Sequence, residues 1–192
     1  MFTLRAKVFA QDLGWVKVDG EREVDRYDAL NPIYVLHTDA SGEILYACGR
    51  LMPTSGPTLL ADVFGQTLPD INFAAPHVWE ITRLCVDDAA LRRDGLCDQR
   101  MAILRSLHVA ALEFGLSAGV ETYLANFDPL RQRMWRRMGV TFDVIGRSDA
   151  FSVPVLLGVT EVSETVLAQA RRRLCQAAPI LCKPPHPMLA AA

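Results

Sequence analysis

Glu80 and Arg83 stand three residues apart in a segment otherwise built for burial, interrupting Val78, Trp79, Ile81, Leu84 and Val86 within PHVWEITRLCVDD, residues 76–88. Ionised groups in such a setting are costly unless they are paired, hydrogen-bonded or turned toward a ligand. A carboxylate placed there can serve as a general base, and an arginine can grip a second carboxylate in a bidentate pair that lysine does not reproduce. On the two-residue period of a strand the two side chains face opposite ways. They reach one site only through a bulge, or else each has its own partner. A buried structural ion pair accounts for the same residues equally well.

Two further groups of charge accompany them. Glu21, Glu23, Asp25 and Asp28 lie in a polar connection from Asp12 to Asn31 that also holds Trp15, and connections of this kind carry function more often than core. Arg131, Arg133, Arg136 and Arg137 cluster in one short stretch, a surface suited to an acidic partner through electrostatic steering. The first 89 residues hold 7 Lys+Arg against 13 Asp+Glu, and the remainder reverses this with 13 against 9. An acidic half suits a cationic ligand and a basic half a phosphate or an acidic protein. Nucleic acid is set aside as a partner, because the net charge is -2 and no nucleic-acid-binding motif is recognisable.

The elements that position these residues follow from periodicity. Residues 1–10 read as helix, with Leu4 and Val8 at helical spacing. Ile33 to His37 and Ile44 to Leu51 read as a hairpin turned by Asp39, Ser41 and Gly42, and Met52 to Pro57 breaks the pattern. Thr58 to Phe64 is a short helix, and the Glu80 strand follows. A long helix capped by Asp94 or Asp98 runs to about Leu116, apolar enough to pack on a sheet. Val120 to Phe127 is a strand and Pro129 to Met138 a helix ended by Gly139. Thr141 to Ile145 and Phe151 to Val159 are strands, and Glu161 to Gln176 is the last helix. This order predicts an α/β (α+β) three-layer sandwich, a mixed twisted sheet with helices on both faces.

The 192 residues, 51% hydrophobic and 22% charged, fit one large domain over residues 1–178, followed by a mobile Pro-rich tail over 179–192. Five cysteines with no CxxC pair indicate reduced thiols in a cytoplasmic protein, and no metal-site spacing is present. No partnership with a membrane is expected, because the apolar runs are too short to span a bilayer and the first residues lack a signal-peptide core. His77, His108 and His186 have no spaced partner for a metal or a triad.

Five motifs then fall in order: RxxxF at Arg5 to Phe9, LGW at Leu13 to Trp15, ExDxYD at Glu23 to Asp28, GRLMPT at Gly49 to Thr54, and WEITRLCVD at Trp79 to Asp87. Together they closely resemble the LuxI-type acyl-homoserine lactone synthases, which make quorum-sensing signals. The resemblance covers residues 4 to about 160 and is most specific over 5–88. It implies a fold similar to the GCN5-related N-acyltransferases. It also implies a reaction in which an acyl-carrier protein or acyl-CoA thioester acylates S-adenosylmethionine, a substrate and not a cofactor, to give an acyl-homoserine lactone, 5′-methylthioadenosine and the free thiol.

The family's characteristic residues fall on Arg5, Phe9, Trp15, Glu23, Asp25, Asp28, Arg50, Glu80 and Arg83. Glu80 is then the candidate base that takes the amine's proton, directly or through water, with any member of the acidic loop its rival. Trp15 and Phe9 hold the sulfonium by stacking or cation–π contact, with Arg5 and the acidic residues on the same side. Arg50 and Arg83, counted with Glu80 in the catalytic set, hold those carboxylates or the substrate carboxylate in bidentate pairs and are partly structural. On the acyl side, donors for the thioester oxyanion are expected near Leu84 to Val86, with Cys85 a small packed residue and not a nucleophile. RRDGLC, residues 92–97, approximates the acyltransferase pyrophosphate loop and is expected to open the long helix, with Arg92, Arg93 and Arg100 serving a phosphopantetheine phosphate.

Departures are also legible. Members of the family usually carry an edge strand and the start of the first helix ahead of the Arg5 equivalent; either translation begins upstream of Met1, or a shortened chain has an open sheet edge and weaker support for the S-adenosylmethionine site. Leu84 stands where many members have an aromatic. A general N-acyltransferase using acyl-CoA and another amine, which would not need the ExDxYD and Trp15 constellation, and a non-catalytic relic that binds an acyl carrier, which would not explain the retained charged set, are the rival readings.

Overall fold

The computed structural model describes residues 1–68 and 72–181. Cys182, His186 and most of the expected tail lie outside the described residues. One six-stranded sheet organises the chain, in the order β1-β2-β3-β4-β6-β5. The strands are β1 (Ile33–Thr38), β2 (Leu45–Pro53), β3 (Val78–Val86), β4 (Thr122–Phe127), β5 (Asp143–Ser148) and β6 (Val155–Glu161). All neighbours are antiparallel except β3 and β4, which run parallel. That pair needs the long helical crossover that the intervening sequence supplies.

Helices cover both faces. On the first, α1 (Phe2–Arg5) continues into a π-helical segment, Ala6–Asp12, and lays Leu4 and Phe9 against Cys48 and Cys85. Beside it, α2 (Leu59–Val63) buries Leu60 against Val78, Leu124 and Leu157. On the second face, α4 (Arg100–Ser117) packs Ile103, Leu107, Ala111 and other residues on Val35, Ala47 and Leu51, with α6 (Glu164–Leu174) beside it. Gly115 permits the close approach of α4 to the sheet, since a Cβ there would lie 2.7 Å from Tyr123 Oη. Trp135 and Met138 of α5 (Pro129–Met138) close a neighbouring cluster around Phe127.

Several boundaries differ from the sequence reading. The long helix is divided: α3 (Asp88–Arg93), capped by Asp87 Oδ1, is followed by a turn before α4 begins at Arg100 without a side-chain cap, so neither Asp94 nor Asp98 caps it. The strand β2 runs on through Met52 to Pro53. Strands β5 and β6 lie a few residues later than expected, and Ser163 caps α6. The expected tail starts tethered, because the Ile180 and Leu181 amides donate to the Glu113 carboxylate.

Candidate active site

Where Gly49 faces β3, the register slips by one residue between Cys48 and Arg50, and Arg83 adopts φ 54°. That is a bulge, with an extra β3 residue opposite one of β2. Its effect is directional. Ile81, Leu84 and Val86 pack with the α4 face, whereas Cys85 returns to the α1 face beside Cys48. Arg83 is thereby free to turn toward the acidic loop, onto the side that Glu80 occupies. Both conditions set by the sequence are met: the bulge is present, and each charge has its own partners.

Those partners come from the connection between α1 and β1. Asp25 caps a 3-10 turn, Arg26–Leu30, in a capping box with Asp28, which fixes the two carboxylates relative to each other. Arg5, fully buried, donates to Glu23 at 2.5 Å and to both oxygens of Asp28 at 2.7 and 2.9 Å. Arg50, also fully buried, donates to Asp25 and Asp28 at 2.6 and 2.9 Å and to Thr82 Oγ1 at 3.0 Å. Arg83 donates to Glu23 and Asp25 at 3.0 and 2.8 Å. Tyr34, which sequence reasoning passed over, donates to Asp28. Burial pushes the Asp28 carboxyl up, but the Arg5 and Tyr34 bonds outweigh it and hold the group far below the usual carboxylate range. Three guanidiniums and three carboxylates thus form one neutralised block, in which Arg50 Nη2 alone among the guanidinium nitrogens is buried without a partner.

Glu80 is handled differently. It is 1% exposed, and its oxygens accept from the first amides of α2, Leu59 N at 3.1 Å and Leu60 N at 2.7 Å. Burial raises its pKa to about 7, against the opposing pull of those amides and of Arg50 and Arg83. No sequence pattern marks α2 as its partner; the Thr58 cap reveals the helix but not where it docks.

A cavity of about 640 Å³ adjoins Glu80. Pairing of β3 with β4 ends at Ile81 and Ala125, and beyond that point the cavity has walls from both sides of the sheet. On the α1 side lie Phe9, Asp12, Trp15, Glu80, Arg83 and Asn126; on the α4 side lie Leu84, Met101, Leu104, Ala125, Phe127 and Trp135, with Arg100, Arg133 and Arg137 also lining the cavity. One side is polar and charged, the other apolar with a basic fringe.

Phe9 and Trp15 both line the cavity, with their rings stacked at 6.1 Å. Their faces meet guanidiniums: Arg83 lies over Phe9 at 5.1 Å and Arg131 over Trp15 at 4.5 Å. Cys85 is buried against Cys48, away from the cavity. The RRDGLC expectation is corrected: it ends α3 and does not open α4, and the Gly95 and Leu96 amides donate back to Arg92 O and Leu91 O. Arg93 pairs with Asp94, Arg92 is exposed, and of this group Arg100 alone lines the cavity, paired with Asp88.

A family model described as Autoinducer synthase matches residues 1–169. An acyl-homoserine-lactone synthase of Rhizobium etli is 32% identical over 186 residues, 93% of this chain and 85% of its own length. Among solved structures, TofI in a ternary complex with an inhibitor and MTA is 28% identical, with TM-score 0.71 over 92% of this chain and 88% of that one. BjaI, a CoA-dependent acyl-homoserine lactone synthase solved with SAM and isopentyl-CoA, is 21% identical and shares the fold at TM-score 0.78, over 96% and 85% of the two chains. The likeness of fold extends to a Lactobacillus plantarum protein named as an N-acetyltransferase, at 21% identity and TM-score 0.55 over 84% and 88%.

Proposed function

The chain belongs to the autoinducer synthase family, and on that premise we propose how its residues divide the work of an acyl-homoserine-lactone synthase. One observation carries the reading: a cavity that crosses the sheet joins a charged, aromatic side to an apolar side, with a carboxyl of pKa about 7 at the crossing. S-adenosylmethionine occupies the first side, where Phe9, Trp15 and Asp12 suit a sulfonium, Trp15 exchanging Arg131 for the substrate. The acyl chain occupies the second, against Met101, Leu104 and Trp135.

The substrate amine is largely protonated at neutral pH and attacks only after losing a proton. Glu80, with so little exposed surface, takes that proton through a water. The amine then forms the C–N bond at the thioester carbonyl, and collapse of the oxyanion breaks the C–S bond and releases the carrier thiolate, which is protonated. Next the substrate carboxylate attacks the methylene carbon beside the sulfonium; the lactone C–O bond forms as the sulfur leaves with the bonding pair, as neutral 5′-methylthioadenosine. No cofactor is invoked. Arg5 and Arg50 are structural, and Arg83 shapes the floor beneath Phe9.

Arg100, Arg133 and Arg137 at the basic fringe suit the phosphate of a phosphopantetheine arm, and acyl-carrier protein is the default donor ahead of acyl-CoA. The cytoplasmic setting expected from cysteines without a CxxC pair is kept as part of this reading; among the described residues no helix is long and apolar enough to cross a membrane. The test is to incubate the chain with S-adenosylmethionine and a panel of acyl-carrier-protein and acyl-CoA thioesters, with mass-spectrometric detection. Lactone and 5′-methylthioadenosine in equal amounts, both lost with Glu80→Gln, is the expected result; acylation of another amine with no 5′-methylthioadenosine overturns the reading.

A further inference from the structure

Asn126 is a cavity residue for which the chemistry above has no use. It lies on β4, two residues beyond Leu124, the partner of Glu80 across the parallel pair, and so faces the same side of the sheet as Glu80. Strand geometry puts it about 6.7 Å further along and about 4.8 Å across, roughly 8 Å from Glu80 between side-chain origins. One of its amide atoms is buried without a hydrogen-bond partner, whereas the other lies 3.1 Å from Thr67 Oγ1.

Counting protons decides which atom is which. Thr67 Oγ1 also lies 2.7 Å from Phe64 O, a carbonyl that can only accept, so the single hydroxyl proton goes there. The Thr67 lone pairs are then left to accept, and an amide can be turned by half a revolution without changing its shape. Turned so, Asn126 donates Nδ2–H to Thr67 and places its Oδ1 at the unpartnered position. A buried acceptor without a donor is costly, and the cavity is where a donor can come from.

We infer that Asn126 Oδ1 accepts a hydrogen bond from the amine of the substrate, making it a further amine-positioning residue, with Thr67 setting its orientation. This rests on the synthase reading. An ammonium held by Asn126 through one N–H and giving up a second to the Glu80 water has its lone pair freed on the Glu80 side, next to the gap between β3 and β4 where the acyl side begins. The acyl chain is excluded as the partner of Asn126 because its apolar walls, Ala125 and Phe127, lie on the opposite side of the sheet.

The experiment compares wild type with Asn126→Leu and Thr67→Val, measuring kcat and KM for S-adenosylmethionine and for the acyl donor separately, with thermal unfolding alongside. Asn126→Leu is expected to lower kcat/KM for S-adenosylmethionine about tenfold while leaving the acyl-donor KM unchanged. Thr67→Val is expected to do the same more weakly. A merely structural role would lower stability without separating the two substrates. An unchanged kcat/KM for S-adenosylmethionine, or a loss confined to the acyl-donor KM, overturns the inference while wild-type turnover leaves the reaction standing; failure of wild type to form lactone would instead strike at the synthase reading.

Discussion

Replacing Glu80 by Gln removes a titrating group and keeps its shape, so the consequence can be worked out before any kinetic measurement. In the folded chain the carboxyl has a pKa of about 7, raised from 4.5 by burial. A raised carboxyl contributes stability that is fully present below the unfolded pKa and is lost as pH rises through the folded one. At 1.36 kcal/mol per pKa unit the full swing is about 3 kcal/mol, about 2.5 kcal/mol of it between pH 5 and 8.5. Glutamine cannot accept from both α2 amides, which adds a penalty of about 1 kcal/mol that does not vary with pH. Burial lowers the pKa of His37 and His108, and both titrate alike in the two proteins, so they cancel in the difference. Urea unfolding at pH 5 and 8.5 reads it: relative to wild type, Glu80→Gln should gain about 2.5 kcal/mol on going to the higher pH, a midpoint shift of roughly 1 M. Wild-type turnover should rise with pH through about 7, and the variant should stay near background. A stability difference that is flat between those pH values would mean that Glu80 does not titrate there, and the argument for it as the base would fail.

Two further outcomes follow from the charged block and the basic fringe. Arg5→Ala leaves Glu23 and Asp28 buried and short of partners, so it should cost about 3–5 kcal/mol in chemical denaturation although Arg5 has no exposed surface with which to meet substrate. Paired Arg133→Glu and Arg137→Glu should lower kcat/KM with acyl-carrier protein more than with acyl-CoA, and the gap should narrow as salt is added; equal losses with both donors at all salt concentrations would exclude those arginines from choosing the carrier.

The fold class and the charged set were legible because both rest on local signals. Alternation marks β3, Thr58 and Pro129 mark helix starts, and a carboxylate and a guanidinium in an apolar run announce themselves. The position of Glu80 relative to Arg83 was legible only as two alternatives, since a bulge depends on the register of β2 and Gly49 gives no sign of it. The long helix was misread at its start because Asp94 and Asp98 look like caps, whereas Asp87 holds that role for a separate short helix. The docking of α2 on Glu80 and the Thr67 contact of Asn126 join residues far apart in the chain, and the Tyr34 bond to Asp28 spans only six residues but depends on how the 3-10 turn feeds β1, which no sequence pattern encodes.

The gap where β3 and β4 part company also bears on how such a catalyst can diversify. On the proposed reading, the groups that hold the reacting amine and those that measure the acyl tail lie on opposite sides of the sheet, the second set drawn largely from α4 and α5. Drift at Met101, Ala125 or Trp135 can then change the message the enzyme writes without touching the ionic block that lets it write at all. A lineage can move to a private dialect by altering a few apolar side chains, and the machinery of speech stays intact.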